Sequence, residues 1–122
     1  MKTSCYKELR VWQRSMDLTE EVYTLVRQLP REEVYALSEQ MRRAAVSVPS
    51  NIAEGHGRNS HKDFVKFLGI ARGSLLELET QLEICGRLKY IPSSNLSHAF
   101  SIVTEISKML NALISYRSSL IS

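Results

Sequence analysis

At 122 residues with a net charge of +3, the chain has the size of one domain, 1–122, with room for a single core. Apolar residues make up 43% and charged residues 24%, a balance that excludes a low-complexity or disordered protein. No run approaches the roughly 20 consecutive apolar residues of a membrane span, and charge interrupts the start, Met1 to Glu8, before a secretory segment can develop.

These features lead to the expectation of a cytoplasmic protein with no membrane partner. The two cysteines, Cys5 and Cys85, have no second cysteine or histidine at ligand spacing and read as reduced thiols. The charge is unevenly spread. Residues 1–41 carry six basic and seven acidic side chains, residues 76–122 carry four of each, and residues 42–75 carry six basic against two acidic. The basic excess lies in the middle of the chain.

Apolar residues recur at three- and four-residue spacing, strict alternation is absent, and Pro30, Gly55, Gly57 and Pro92 divide the chain into comparable pieces. The pattern predicts four helices near 7–29, 33–56, 60–88 and 94–119, each about 30–40 Å long at roughly 1.5 Å per residue. Short connections make neighbours antiparallel, so the expected fold is an all-α, up-and-down four-helix bundle.

In the first helix Trp12, Met16, Thr19, Val22, Tyr23, Leu25 and Val26 fall on one arc, opposite Arg10, Arg14, Asp17, Glu20, Glu21 and Arg27. The second carries a stripe of Leu37, Met41, Ala44, Val48 and Ile52. Its Pro49 lacks an amide donor and should kink the rod without ending it, because the stripe continues in phase to Ile52.

The third helix starts at a capping pair, Ser60 and Asp63, and runs a seam of Phe64, Leu68, Ala71, Leu75, Leu78, Leu82 and Cys85. Its opposite side carries Gly69, Gly73, Leu76 and Ile84, apolar positions that a helix facing only water would not need. Interior glycines cost roughly 1 kcal/mol each relative to alanine, and close approach of another helix is the expected gain.

The fourth helix, capped by Ser93 or Ser94, contains only Glu105, Lys108 and Arg117 as charges. Ile102, Val103, Ile106, Met109, Leu110, Leu113 and Ile114 cover close to half its circumference. Two helices with more apolar surface than one core requires point to a homo-oligomer. The candidate contacts are Gly69, Gly73, Leu76, Ile84, Ile102 and Met109.

Along the edge of the second helix, Gln40, Arg43, Ser47, Asn51, Glu54 and Arg58 share one flank. They form either a solvated flank of local pairs such as Glu54 and Arg58, or a polar network that fixes register between helices or subunits. No nucleophile and base among them stand in an activating relation, so the chain is not expected to be an enzyme. His56, His61 and His98 belong to no metal motif. No cofactor, metal or small-molecule substrate is indicated. Arg42, Arg43, Arg58, Lys62, Lys66 and Arg72 make up the basic excess and are the candidate contacts for RNA or DNA phosphates, without any accompanying nucleic-acid-binding motif.

Several segments together carry a family resemblance: Leu9-Arg10-Val11-Trp12-Gln13, Ser38-Glu39-Gln40-Met41-Arg42-Arg43-Ala44-Ala45, Ser47-Val48-Pro49-Ser50-Asn51-Ile52-Ala53-Glu54-Gly55, Arg58, and Gly73-Ser74-Leu75-Leu76-Glu77-Leu78-Glu79-Thr80-Gln81-Leu82. Over roughly residues 7–118 the chain resembles the four-helix-bundle proteins named for intervening sequences in bacterial 23S ribosomal RNA genes. The resemblance implies a bacterial up-and-down bundle that assembles into a homo-oligomeric ring of five subunits. It also implies a distant kinship to the accessory protein of diversity-generating retroelements, a basic bundle that works with a reverse transcriptase and nucleic acid. No biochemical activity follows from the family name. The matching positions Arg42, Arg43, Asn51, Glu54, Arg58, Glu77 and Glu79 are structural, functional or both.

Overall fold

The computed structural model describes residues 5–121. Met1–Ser4, part of the charged start read above, and Ser122 lie outside the described residues. Four α-helices follow one another: α1 (Arg10–Leu25), α2 (Leu37–His56), α3 (His61–Arg87) and α4 (Ser93–Ser118). Short 3₁₀ turns at Tyr6–Glu8, Val26–Gln28 and Arg31–Glu33 flank the first two.

Contacts between the helices set the antiparallel order. Thr19 of α1 meets Ala45 of α2, and Ser47 of α2 meets Ser74 of α3. Arg72 of α3 meets Asn111 of α4, and Arg14 of α1 meets Glu105 of α4. The architecture is the up-and-down bundle that the periodicity predicts.

The first helix is shorter than the predicted 7–29. Leu9 is extended (φ −73°, ψ 126°) and separates the Tyr6–Glu8 turn from α1, while Leu29 is driven extended (φ −74°, ψ 152°) by the proline that follows it. The second helix starts at Leu37 and not at 33, because the chain after Pro30 makes one 3₁₀ turn before Ala36 breaks it.

The phase of α1 also needs correcting. Its core face is Val11, Ser15, Leu18, Val22 and Leu25, continued by Val26, whereas Met16 and Tyr23 are exposed and Trp12 and Thr19 are half-buried. Buried Ser15 is tolerated because its hydroxyl donates to Val11 O at 2.7 Å, leaving no polar atom unmet.

The other helices keep their predicted stripes. Met41, Ala44, Val48 and Ile52 of α2 and the whole Phe64-to-Cys85 seam of α3 are buried. Ser60 accepts from the Asp63 amide at 3.0 Å as a true N-cap. In α4 the cap prediction fails: Pro92 is the N-cap residue, Ser93 already lies inside the helix, and no side chain caps it.

Pro49 sits inside α2 and removes the amide that would have bonded Ala45 O. The structure supplies a substitute, since Thr19 Oγ1 on α1 lies 3.3 Å from that carbonyl while also reaching Ser15 O at 2.9 Å. Cys85 lies 3.6 Å from Met41 Sδ in the core. Burial, helped by the Glu33 carboxylate, pushes its thiol up to about 11, which keeps it protonated and unreactive at neutral pH.

Candidate functional site

The polar row of α2 opens onto α3. Ser47 and Ser74 hydroxyls lie 2.8 Å apart across the helix pair, and Asn51 Nδ2 donates to both Ser47 O (2.8 Å) and Ser47 Oγ (2.9 Å). Next to this chain, Gln40, Arg43, Ala44, Ser47, Ser74 and Glu77 line a cleft of about 480 Å³. One turn beyond Glu77, Gln81 is 5% exposed and donates to Glu77 at 3.4 Å; its Oε1 is buried with no partner.

The rest of the row pairs locally. Arg43 stands 3.8 Å from Glu39, and Arg58 donates to Glu54 at 2.9 and 3.1 Å. The row divides: Arg43 and Arg58 form i,i+4 ion pairs, and Ser47 bonds across to Ser74 of α3. Ser47 bonds a hydroxyl and an amide, neither of which can take up its proton, so the cluster does not activate a nucleophile.

The six basic residues do not form one patch. Arg43 lies near the start of α2, about 20 Å along the helix from its end at His56 at roughly 1.5 Å per residue, and Arg58 lies beyond that end. Arg42 reaches back to Val34 O (3.5 Å), and Arg72 turns to α4 and donates to Asn111 at 2.9 Å. Arg58 and Lys66 do converge, on Phe67 near the α2–α3 turn, with exposed Lys62 one turn before Lys66 on α3. Arg58 lies 5.0 Å and Lys66 5.8 Å from the centre of the Phe67 ring.

Sequence reasoning missed a further cation at this end, Arg117 from α4, which stands 4.6 Å over Phe64 and donates from Nε to His61 Nδ1 at 2.7 Å. His56 packs edge-on against the same Phe64 ring at 5.7 Å. No local signal marks this cluster, because its members come from three helices.

The apolar candidates separate in the same way. Leu76 is 57% exposed and Ile84 39%, with Gly69 and Gly73 on the same outer stripe of α3 and no neighbour within 4 Å of either glycine's Cβ position. Ile102, expected as an oligomer contact, is instead buried in the chain's own core, and Met109 is half-buried against that core. The broad arc of α4 is thus used largely within one subunit, with Val103, Ile106 and Leu110 buried beside Ile102.

A second open apolar surface, missed in the sequence, lies between α1 and α2. Trp12, Met16, Thr19, Val46, Pro49 and Ala53 line an open groove of about 340 Å³ between α1 and α2. The spacing Val11, Ser15, Leu18, Val22, Leu25 marks the core face and so turns Met16 and Tyr23 outward. The polar Ser15 within that spacing hid it.

Among the described residues, no three His, Cys, Asp or Glu side chains are grouped to hold a metal, and no helix is long and apolar enough to cross a membrane. The fold is an all-α four-helix bundle with two open apolar faces and a polar inter-helix cleft. The chain belongs to the 23S rRNA-intervening sequence protein family, whose model matches residues 7–112.

Among solved structures it is similar to a crystal structure from Bacteroides thetaiotaomicron, described as a protein of unknown function from the S23 ribosomal protein family. The two share 27% identity with a TM-score of 0.76, over 85% of this chain and 97% of that one. No curated protein matches the chain in sequence.

Proposed function

We propose that this protein is a non-enzymatic, cytoplasmic interaction module that works by assembling with copies of itself into a closed ring. The observation that carries this reading is the pair of apolar faces, the α1–α2 groove and the outer stripe of α3, on different sides of one bundle. Two unlike faces suit a head-to-tail contact, which closes into a ring when the rotation between copies allows it. Gly69 and Gly73 add support, since a Cβ at either position would meet nothing within 4 Å and their cost of roughly 1 kcal/mol each is not offset by a close approach within the chain. Sedimentation at micromolar concentration tests the proposal: an assembly larger than a dimer is expected, and a monomer overturns it.

A second reading is nucleic-acid binding at the α2–α3 turn, alongside a partner enzyme as in the retroelement accessory protein. It is favoured by Arg58 and Lys66 against Phe67 and by Arg117 over Phe64 at this end, with Lys62 one turn before Lys66. Titration of labelled RNA and DNA at several salt concentrations tests it. The logarithm of the affinity is expected to fall linearly with the logarithm of the salt concentration, and no binding at low salt removes the reading.

A further inference from the structure

We propose that Arg117 and His61 form a proton-operated latch that holds the last turns of α4 against the start of α3. Arg117 Nε donates to His61 Nδ1 at 2.7 Å, and the guanidinium lies 4.6 Å over Phe64, which is fully buried otherwise. An arginine only donates, so the bond exists only while Nδ1 keeps its lone pair and the imidazole is neutral, with its proton on Nε2. Proton uptake at Nδ1 removes the acceptor and sets two cations face to face at hydrogen-bonding distance. The same proton would stand at the first residue of α3, where the unpaired amides of the helix end already present positive charge.

Other charged groups stand at the same end of the bundle. On α4 the charged group facing His61 is Arg117 itself. At the end of α2 stand His56, against Phe64, and Glu54, which is engaged by Arg58 at 2.9 Å. On α3 the charged neighbours are Lys62, Lys66 and the carboxylate of Asp63, whose backbone amide caps onto Ser60. Releasing Arg117 loosens the terminal turn of α4, beside exposed Tyr116, Leu120 and Ile121, and adds the Arg117 and His61 charges to those of Arg58, Lys62 and Lys66. The latch depends on neither reading of the protein's function.

Hydrogen exchange measured by NMR on the full chain tests the latch, following the Arg117 side-chain Nε–H and the amides of residues 114–118 at about pH 7.5 and about pH 5.5. Protection, corrected for intrinsic rates, is expected to fall at the lower pH, while buried α3 amides such as that of Leu75 stay protected. His61→Gln, whose side-chain oxygen accepts at any pH, should make the protection independent of pH. Arg117→Met should lower it already at the higher pH and leave nothing further to lose. Equal protection of the unaltered chain at both pH values overturns the proposal, as does a His61→Gln chain that keeps the full pH dependence.

Discussion

A Cβ placed on Gly55 would stand 2.6 Å from Phe67 Cβ and 3.0 Å from Phe64 Cδ1, closer than carbon atoms pack. Gly55 lies inside α2 and is buried, so it does not end the helix as its residue type first suggests. It is a point of close packing between α2 and α3, just before their connection. Asn51, Glu54 and Arg58 on the neighbouring turns then serve the same junction: Asn51 bonds Ser47, which crosses to Ser74, and Glu54 holds Arg58 over Phe67.

Gly55→Ala is accordingly expected to destabilise the fold. Forcing a methyl into a packed contact costs about 1–3 kcal/mol, and the helix-propensity gain of alanine returns about 1 kcal/mol of it. The net loss should appear in urea unfolding as a lower midpoint with an unchanged slope. A midpoint equal to or above that of the unaltered chain would mean that the helices separate at no cost.

Gly69 and Gly73 have the opposite surroundings, with nothing within 4 Å of either Cβ position. Gly69→Ala and Gly73→Ala should each stabilise the isolated chain by about 1 kcal/mol through helix propensity. If the outer stripe of α3 seats a second copy, the same changes should weaken association. Unfolding and sedimentation on the same samples separate the two effects. Higher stability with unchanged assembly would remove this stripe from the interface.

What could be read from the sequence follows how local each signal is. The α3 seam is an unbroken run of large apolar residues at helical spacing behind a serine cap, and both appear in the structure. The phase of α1 was obscured because a serine occupies the core while Met16 and Tyr23 face out. The apolar arc of α4 was visible, but whether it serves its own core or a neighbour depends on how deeply the helix sits in the bundle. Arg14 and Glu105 are 91 residues apart, and Arg117 and His61 are 56 apart, so no periodicity connects them. The polar row of α2 was legible as a face; its division into local pairs and a cross-helix bond needed the position of Ser74.

The Thr19 hydroxyl stands in for the amide that Pro49 lacks, 3.3 Å from Ala45 O. Thr19→Val keeps the shape and removes the donor, and an unmet carbonyl between helices costs about 1–3 kcal/mol. The lower end is expected, because Thr19 shares its single proton with Ser15 O at 2.9 Å. The coupling to Pro49 is the sharper test. In a Pro49→Ala background the restored amide bonds Ala45 O directly, so Thr19→Val should there cost markedly less. Equal costs in both backgrounds would separate the threonine from the proline.

Glu105 joins α4 to α1, accepting from Arg14 Nε at 3.0 Å and Nη2 at 2.8 Å, with Arg10 at 3.4 Å. The Arg14 hydrogen bonds, aided by the charges of Arg14 and Arg10, hold the Glu105 carboxyl below its ordinary value of 4.5. A carboxylate whose pKa is lower folded than unfolded binds its proton less readily in the native state. Its contribution to stability is complete above 4.5 and is lost as the pH falls through the lower folded value. Glu105→Gln should therefore lower stability at neutral pH and flatten its dependence on pH in this acid range. Partial exposure and salt keep the effect small, so the measurement is the difference in slope of denaturation midpoint against pH between the two chains at low ionic strength. Parallel slopes would show that Arg14 does not favour the ionised carboxylate in the folded protein.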